Sequence, residues 1–372
     1  MSHPRVRLGL LMEQCLAPVP GGSGRYAHEI ARALAATAPA GATVTGWTAW
    51  HRDVSAARVD AVGGPCRLPL PRRPLAAAWE RGVGPAPRGV DVVHATTPLA
   101  PPRGRWPLVV TVHDTVPWTH PETLTPRGAA WHRRVIGLAA RHADRIVVPT
   151  QAMAVELSAL VDVGDRLTVV GMGVGDSLAL PVDADERAAR LRLPAGGYWT
   201  CVATLEPRKG LDIAVEALAQ PAAPGLSLVV VGPRGWGGVD IGSLARRHGL
   251  DTDRVRVLGA LDDADLAVVL HRATALLAPS RAEGFGLPVL EAMSIGTPVI
   301  SSDAPALVEV GGGATRIVAR DDPGALAAAM AELAADPAEL DRLRERGIAR
   351  AAHFTWQRAA GALWGVYNEL LG

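Results

Sequence analysis

Two short segments hold the side chains best suited to chemistry. In the first, PSRAEGFGLPVLEAMSIGTPVI, Glu283 and Glu291 stand eight positions apart. Pro288 is typical of the first turn of a helix, and Gly296 of its end. The intervening glycines let backbone amides approach a ligand, and a helix N-terminus favours an anion. We therefore predict a phosphate at 285–287, between carboxylates that accept hydrogen bonds from sugar hydroxyls. The alternative is that the glycines only form a turn and that Glu291 only interacts favourably with the helix dipole.

The second segment, LEPRKG, places two adjacent cations, Arg208 and Lys209, before a glycine. Lys209 is the only lysine of the chain, and the other 37 of its 38 basic residues are arginine. An exposed cation could as well be another arginine, so the single lysine indicates a position that uses a compact charge on a flexible stem. The alternative is a solvated loop with two basic residues.

Two histidines stand at the ends of apolar runs. His113 ends LVVTVH and is followed by Asp114, so a carboxylate would hold the imidazole in one tautomer for a hydrogen bond to a substrate hydroxyl. His94 ends DVVH and is a weaker candidate for an acceptor pocket. A structural histidine with satisfied hydrogen bonds is the alternative for each.

The elements that must position these residues alternate between buried strands and amphipathic helices. The predicted strands are VRLGLLM, VDVVHA, PLVVTVHD, RIVVPT, YWTCVATL, LSLVVVG, VRVLG, ATALLAPS and TPVISSD. Alternation with helices such as GLDIAVEALAQ predicts the α/β class with doubly wound parallel sheets. A stretch rich in Gly, Pro and Asp at 169–197 divides the chain into two domains. Because ligands bind beyond the carboxyl ends of such strands, we expect both sets of loops to face one central cleft.

Composition narrows the classes of function. The chain has 372 residues, 48% apolar and 20% charged, with a net charge of +1, which suits a soluble protein of about two domains without a nucleic-acid surface. Three distant cysteines suggest neither a disulfide framework nor a zinc site. The first apolar run is too short for a signal or a membrane span, so a cytoplasmic location is expected. D-x-D triplets read as turns and caps, so no metal is predicted.

Several motifs in order resemble the family 4 retaining glycosyltransferases. EGFGLPVLE resembles their E-x7-E motif, PVPGGSGRYAHEIARALA their glycine loop and first helix, ATLEPRKGLD their basic phosphate loop, and HFTWQRAAGALWGVYNELL their closing helix. The resemblance implies the GT-B fold, in which two Rossmann-like domains face a central cleft. Residues 1–180 would form the acceptor-side domain, 181–352 the nucleotide-sugar domain, and 353–372 a closing helix that crosses back to the N-terminal domain.

The resemblance also implies a hexosyltransferase that needs a nucleotide-sugar co-substrate and neither a metal nor another cofactor. Arg208 and Lys209 would neutralise the diphosphate, Glu283 would position the sugar and Glu291 would hold the ribose. The implied donor-binding residues are Gly22, Arg208, Lys209, Glu283, Phe285, Gly286, Leu287 and Glu291. The implied catalytic residues are His113, Glu283, Arg208 and Lys209, with His94 and Asp114 as acceptor-side candidates.

The motifs define the identities of the sugar donor and the acceptor less sharply than the family. TVHDTVPWTHPE is similar to the bacterial mannosyltransferase branch, which favours GDP-mannose, with a UDP-sugar as the alternative. The acceptor would be a hydroxyl of a glycan, a lipid-linked molecule or a small molecule. A nucleotide-sugar epimerase and a non-catalytic nucleotide-sugar-binding protein remain alternatives. Trp131 lies on one face of a predicted helix, and a ridge of Arg127, Arg134, Arg141 and Arg145 lies on another. This ridge leaves open a weak peripheral contact with the inner face of the plasma membrane, and the commoner alternative is a solvated charged face.

Overall fold

The chain forms two compact α/β units in a computed structural model that describes residues 6–251 and 253–372. Unit 1 comprises Met1–Trp118, Pro126–Gly173 and Thr355–Gly372, of which residues 1–5 lie outside the described part. Unit 2 comprises Thr119–Thr125 and Val174–Phe354. The expected domain limits, 1–180, 181–352 and 353–372, stay a prediction.

Strands and helices alternate along almost the whole chain. The strands are β1 Arg7–Leu11, β2 Thr43–Thr48, β3 Gly63–Arg67, β4 Val92–Ala95, β5 Leu108–Thr111, β6 Arg145–Val148, β7 Leu167–Val169, β8 Tyr198–Val202, β9 Ser227–Val231, β10 Val255–Gly259, β11 Ala275–Ala278, β12 Val299–Ser302 and β13 Arg316–Val318. The helices are α1 Gly21–Ala36, α2 Arg72–Trp79, α3 Val116–Thr119, α4 Pro126–His142, α5 Gln151–Leu160, α6 Ala184–Arg190, α7 Leu211–Leu218, α8 Ile241–Arg247, α9 Asp263–Arg272, α10 Leu287–Ser294, α11 Pro305–Gly311, α12 Pro323–Ala335, α13 Pro337–Ala351 and α14 Trp356–Leu371.

Both sheets are parallel and doubly wound. Unit 1 has the strand order β3-β2-β1-β4-β5-β6-β7, and unit 2 has the order β10-β9-β8-β11-β12-β13. The order reverses between β1 and β4 in the first sheet and between β8 and β11 in the second, and such switch points are where open α/β sheets bind ligands. Central strands such as β4 and β5 are buried throughout, which is consistent with their mainly apolar sequences.

Side-chain caps set the start of many of these helices. At each of six helix N-termini an Asp or Thr side chain accepts a hydrogen bond from a backbone N–H three positions later, which satisfies a donor that the helix itself leaves without an acceptor. The capping residues are Thr150, Asp240, Asp262, Asp322, Asp336 and Thr355.

The element order confirms the predicted α/β class and the nine predicted strands. It also contains four strands that the sequence patterns do not predict: β2, β3, β7 and β13.

The C-terminal helix α14 belongs to unit 1 and packs against α1. The Trp364 indole donates a hydrogen bond to the Leu34 carbonyl at 3.2 Å. Gly173 lies directly against the start of α14, because a Cβ built on it would be 2.2 Å from the Trp356 nitrogen. A glycine is therefore required where the chain passes the first turn of this helix.

Two glycine substitutions should change the stability of unit 1 in opposite directions. Gly173→Ala forces the backbone at Trp356 to shift and should lower the free energy of unfolding by about 1–3 kcal/mol. Gly361→Ala, in α14 with open space around its Cβ, should raise it by about 0.5–1 kcal/mol because alanine favours the helix. Urea unfolding of the two variants beside the parent chain measures both changes. A Gly173→Ala variant as stable as the parent would contradict the close approach.

Candidate active site

The two predicted motifs meet at the switch point of unit 2. LEPRKG follows β8, PSRAEG follows β11, and these strands are neighbours in the sheet. Residues Pro207–Lys209 form one 3-10 turn that ends at Gly210, where φ is +62°. A Cβ on Gly210 would lie 2.1 Å from the Pro279 carbonyl oxygen, so only glycine lets the two loops lie this close together.

A cluster of four charged side chains occupies this switch point. Lys209 Nζ lies 2.6 Å from Glu283 Oε1, and Arg208 Nη1 lies 3.0 Å from Glu283 Oε2. The Ser280 hydroxyl donates to Glu283 Oε1 at 2.8 Å. Burial raises the pKa of the Glu283 carboxyl, but the charges of Lys209 and Arg208 and these hydrogen bonds outweigh burial and lower it to about 2. Glu283 is therefore ionised at neutral pH and holds both cations.

Glu206 is the fourth charge, and the sequence patterns gave it no role. Its side chain is only 2% exposed, and Oε1 accepts from Arg208 Nη2 at 2.6 Å. The other carboxyl oxygen is buried and has no hydrogen-bond partner within residues 6–251 and 253–372. Burial raises the pKa of Glu206, and the Glu283 charge adds to this against the opposing effect of Arg208 and Lys209. The two cations thus face two carboxyl groups.

The helix predicted after the Glu283 loop is confirmed as α10. Gly286 precedes it with φ +93°, Pro288 lies in its first turn, and Gly296 follows its end with φ +76°. A Cβ on Gly286 would lie 2.4 Å from the Leu307 side chain, so the close approach again requires glycine. Glu291 lies in the second turn and is 5% exposed. The Phe285 ring is buried against Phe354, which leaves the backbone of 285–287 as the part that can approach a ligand.

In unit 1 the glycine segment begins the first helix. A 3-10 turn at Glu13–Leu16 follows β1, and Gly21 and Gly22 form the first turn of α1 rather than the end of a loop. Gly21 has φ +59°, and both glycines are exposed. Gly22 therefore presents its backbone at the N-terminus of a sixteen-residue helix, where an anion is favoured.

His113 has one tautomer, and Asp114 is not what selects it. Nε2 lies 2.8 Å from the Thr96 carbonyl oxygen, which only accepts, so Nε2 carries the proton. Nδ1 is therefore an acceptor, and it is buried without a partner in the described part of the chain. Burial lowers the pKa of His113, so the ring is neutral at neutral pH. Asp114 instead accepts from the Val116 N–H at 3.2 Å, which corrects the expected tautomer contact.

The placement of His94 corrects its assignment as an acceptor-side candidate. The ring is fully buried in β4, with Nδ1 at 2.6 Å from the Tyr367 hydroxyl and Nε2 at 2.8 Å from the Thr111 hydroxyl. Both ring nitrogens thus already have protein partners, and neither is left for a substrate. His94 links the sheet of unit 1 to α14, which carries Tyr367.

The helix predicted to carry the arginine ridge is α4, and it ends before Arg145. Arg145 begins β6 and donates to the Asp165 carbonyl, which corrects its expected place on the helix ridge. Arg127, Arg134 and Arg141 are exposed, whereas the Trp131 indole donates to Glu80 at 2.8 Å. Over residues 6–251 and 253–372, no helix combines the length and the apolar character that a membrane crossing requires.

Carboxylates of the D-x-D triplets pair with arginines. Asp265 contacts Arg187 at 2.7 Å and Arg190 at 2.5 Å, and Asp183 contacts Arg187 at 2.8 Å. Thr252, inside the triplet 251–253, lies outside the described residues. Within the described part, no group of three His, Cys, Asp or Glu side chains is arranged to hold a metal ion. The absence of a metal requirement stays a prediction.

Comparisons with known proteins identify the family. Residues 20–177 match the family model described as Glycosyltransferase Family 4, and residues 197–336 match that of Glycosyl transferases group 1. D-inositol 3-phosphate glycosyltransferase 1 of Catenulispora acidiphila is 32% identical over 81% of this chain and 77% of its own. The chain belongs to glycosyltransferase family 4. It is a hexosyltransferase.

One further relative and one solved structure are also similar to this glycosyltransferase. O-antigen chain mannosyltransferase B of Escherichia coli is 34% identical, but over only 47% of this chain and 46% of its own length. A solved structure of HepE from Anabaena in complex with UDP and glucose superposes with a TM-score of 0.75 at 20% identity, covering 98% of this chain and 100% of that one. The latter shows the fold alone, and the predicted GT-B fold is confirmed.

The buried histidine of this glycosyltransferase should make its stability depend on pH. Burial, and to a smaller extent repulsion from His113 once that ring is protonated, lowers the pKa of His94 to about 3. The unfolded chain regains an ordinary imidazole and binds more protons, so stability is lost as pH falls below about 6.5, by up to about 1.4 kcal/mol per pH unit from His94.

His94→Gln keeps hydrogen-bonding atoms and removes this proton. Between about pH 7 and 5, the free energy of unfolding should fall less steeply with decreasing pH in the variant than in the parent. The difference in slope should be at most that of one bound proton, about 1.4 kcal/mol per pH unit. Urea unfolding across this range measures the two slopes. Parallel slopes would mean that His94 does not change its protonation on unfolding.

Proposed function

We propose that this glycosyltransferase transfers mannose from GDP-mannose to a hydroxyl of a glycan, a lipid-linked or a small-molecule acceptor, with retention of the anomeric configuration. A UDP-sugar donor is the second candidate, because HepE of the same fold is described in complex with UDP and glucose. The likeness to a mannosyltransferase from Escherichia coli favours mannose. The observation that carries the proposal is the buried pair of cations on Glu283 beside the N-terminus of α10.

The basic loop would stabilise the departing nucleoside diphosphate. When the bond between the anomeric carbon and the β-phosphate oxygen breaks, negative charge grows on that phosphate. Fixed cations therefore favour the transition state more than the ground state. Arg208 offers two parallel donors, and Lys209 offers a point charge. The acceptor oxygen then bonds to the anomeric carbon, and its proton passes to the departing phosphate oxygen on the same face.

Glu283 has two tasks in this proposal. Without a ligand it neutralises Lys209 and Arg208, so an incoming diphosphate must take these cations from it. Once the phosphates hold the cations, the carboxylate is available for sugar hydroxyls, which we assign as the 3- and 4-hydroxyls. Glu291, in the second turn of α10, would hold the ribose, and the backbone of 285–287 would contact sugar or phosphate.

The unit 1 residues are assigned from their geometry and the family resemblance. We propose from the family resemblance that His113 contacts the transferred sugar, with its neutral ring held by the hydrogen bond from Nε2 to the Thr96 carbonyl. Gly22 would approach the diphosphate through its backbone. Asp114 stays an acceptor-side candidate. His113 is a contact residue here and not a nucleophile.

The reaction is proposed to take place in the cytoplasm, without a metal or other cofactor and without a nucleic-acid partner. Cys15, Cys66 and Cys201 are free thiols, which suits a reducing compartment. The exposed arginines of α4 would allow a weak electrostatic contact with an anionic membrane surface. The apolar residues of α4 are mainly buried in unit 1, so any such contact would be peripheral.

Acceptor-dependent release of nucleoside diphosphate tests the function. The chain is incubated with GDP-mannose or UDP-sugars and a panel of hydroxyl acceptors, and product is measured with and without acceptor. Lys209→Ala should lower turnover by roughly tenfold or more, because a charged hydrogen bond to the leaving group is lost. Arg316→Ala, an exposed arginine paired with Glu332 in the same unit, should leave turnover unchanged.

The outcomes separate the candidate functions. Turnover of the Lys209→Ala variant within about threefold of the parent would contradict the assignment of the cations to the leaving group. Conversion of the donor without any acceptor requirement would indicate an epimerase or a hydrolase instead. Donor binding with no conversion by the parent chain would indicate a binding protein.

A further inference from the structure

Arg281 holds the basic loop in place from the loop that carries Glu283. Its backbone N–H donates to the Arg208 carbonyl at 2.8 Å, and its Nη1 donates to the Pro207 carbonyl at 2.7 Å. Two consecutive carbonyls of the 3-10 turn at 207–209 are thus fixed by one residue. The contact is reciprocal, because Arg208 Nη1 donates to the Ala282 carbonyl at 3.0 Å.

Two carboxylates orient the Arg281 side chain. Asp212, in the first turn of α7, accepts from Nη1 and Nη2 at 3.0 and 2.8 Å. Asp321 Oδ1 lies 2.6 Å from Nε. All three guanidinium nitrogens therefore have protein partners, and the side chain is 20% exposed. Arg281 is occupied by the protein itself, so it has no need of a substrate phosphate to balance its charge.

Asp321 has a left-handed backbone conformation, which aspartate and asparagine adopt more readily than most other residues. Its φ is +56°, in the left-handed region that non-glycine residues rarely adopt. From this position Asp321 supplies the carboxylate that contacts Nε of Arg281.

We propose that Arg281 is a positioning residue for the proposed phosphate site. It sets the spacing between the basic loop at 207–209 and the loop that carries Glu283. Bound to Asp212 and Asp321, it fixes the Pro207 and Arg208 carbonyls, and thereby the positions from which Arg208 and Lys209 direct their charges. It acts through the loop and does not touch the substrate. This inference rests on the proposed function.

Paired ligands with and without phosphate test this role. GDP, UDP and ADP are titrated against the parent chain by calorimetry, and the tightest is compared with its own nucleoside. Arg281→Met should weaken the diphosphate by roughly tenfold, the size expected for misplaced charged hydrogen bonds, and should leave the nucleoside within about twofold. Arg281→Lys keeps the charge but not the planar fork, so it should recover only part of the affinity.

Two further variants keep the test decisive. Arg344→Met is the matched control, because Arg344 also donates to a backbone carbonyl, that of Gly296, and pairs with Asp341, but does not contact the basic loop. It should change neither affinity. Asp321→Asn tolerates the same φ, removes only the carboxylate charge, and should lower diphosphate affinity alone by a smaller factor. It supplies the test if Arg281→Met fails to fold.

The inference and the proposed function fail in different ways. Equal losses for diphosphate and nucleoside, or no loss of either, would overturn the positioning role of Arg281. A parent chain that binds no nucleoside diphosphate and transfers no sugar would overturn the proposed function itself. A selective loss of diphosphate affinity in Arg281→Met supports the inference.

Discussion

The rest of the proposed donor site depends on one buried carboxylate between two cations. Glu283 lies 2.6 Å from Lys209 Nζ and 3.0 Å from Arg208 Nη1, with all three side chains at most 14% exposed. Buried charges are tolerated when they are paired and hydrogen-bonded, and the attraction between them is much stronger than in water. The neighbouring strands β8 and β11, the glycine at 210 and the Arg281 contacts all serve to bring these charges together.

The same pairing reduces the positive charge of the ligand-free site. Glu206 and Glu283 face Arg208 and Lys209, so the loop is not a permanently exposed positive patch. A ligand must therefore match the two cations closely enough to replace Glu283, and a diphosphate supplies the charge and the acceptors to do so. An anion that binds only one of them would leave the other cation on Glu283. The exchange thus links recognition of the phosphates to release of the carboxylate that would bind the sugar.

The sequence predicted those parts of the structure that depend on local pattern. Apolar runs mark nine of the strands, and Pro288 and Gly296 mark the start and the end of α10. The missed strands are short or half-exposed, such as β3 with sequence GGPCR and β13 with three residues. Their Gly, Pro or brief apolar content lacks the period that marks a strand.

The parts that failed depend on partners distant in sequence. His94 was assigned to an acceptor pocket because it ends a strand, but Tyr367, 273 positions away, occupies its Nδ1. The proton on His113 is set by a carbonyl rather than by the adjacent Asp114. No sequence pattern marks Arg281, because its contact with Pro207, 74 residues away, forms only in the folded chain. No local pattern encodes such pairings.

The single lysine offers the most direct test of the exchange at Glu283. In a chain labelled with 15N-lysine, Lys209 gives the only side-chain ammonium signal. The account predicts that this signal shifts when GDP or UDP, whichever the chain binds, replaces Glu283 as its partner, and that the corresponding nucleoside leaves it in place. A Lys209 signal that stays unmoved when the chain is saturated with the bound nucleoside diphosphate would contradict the account.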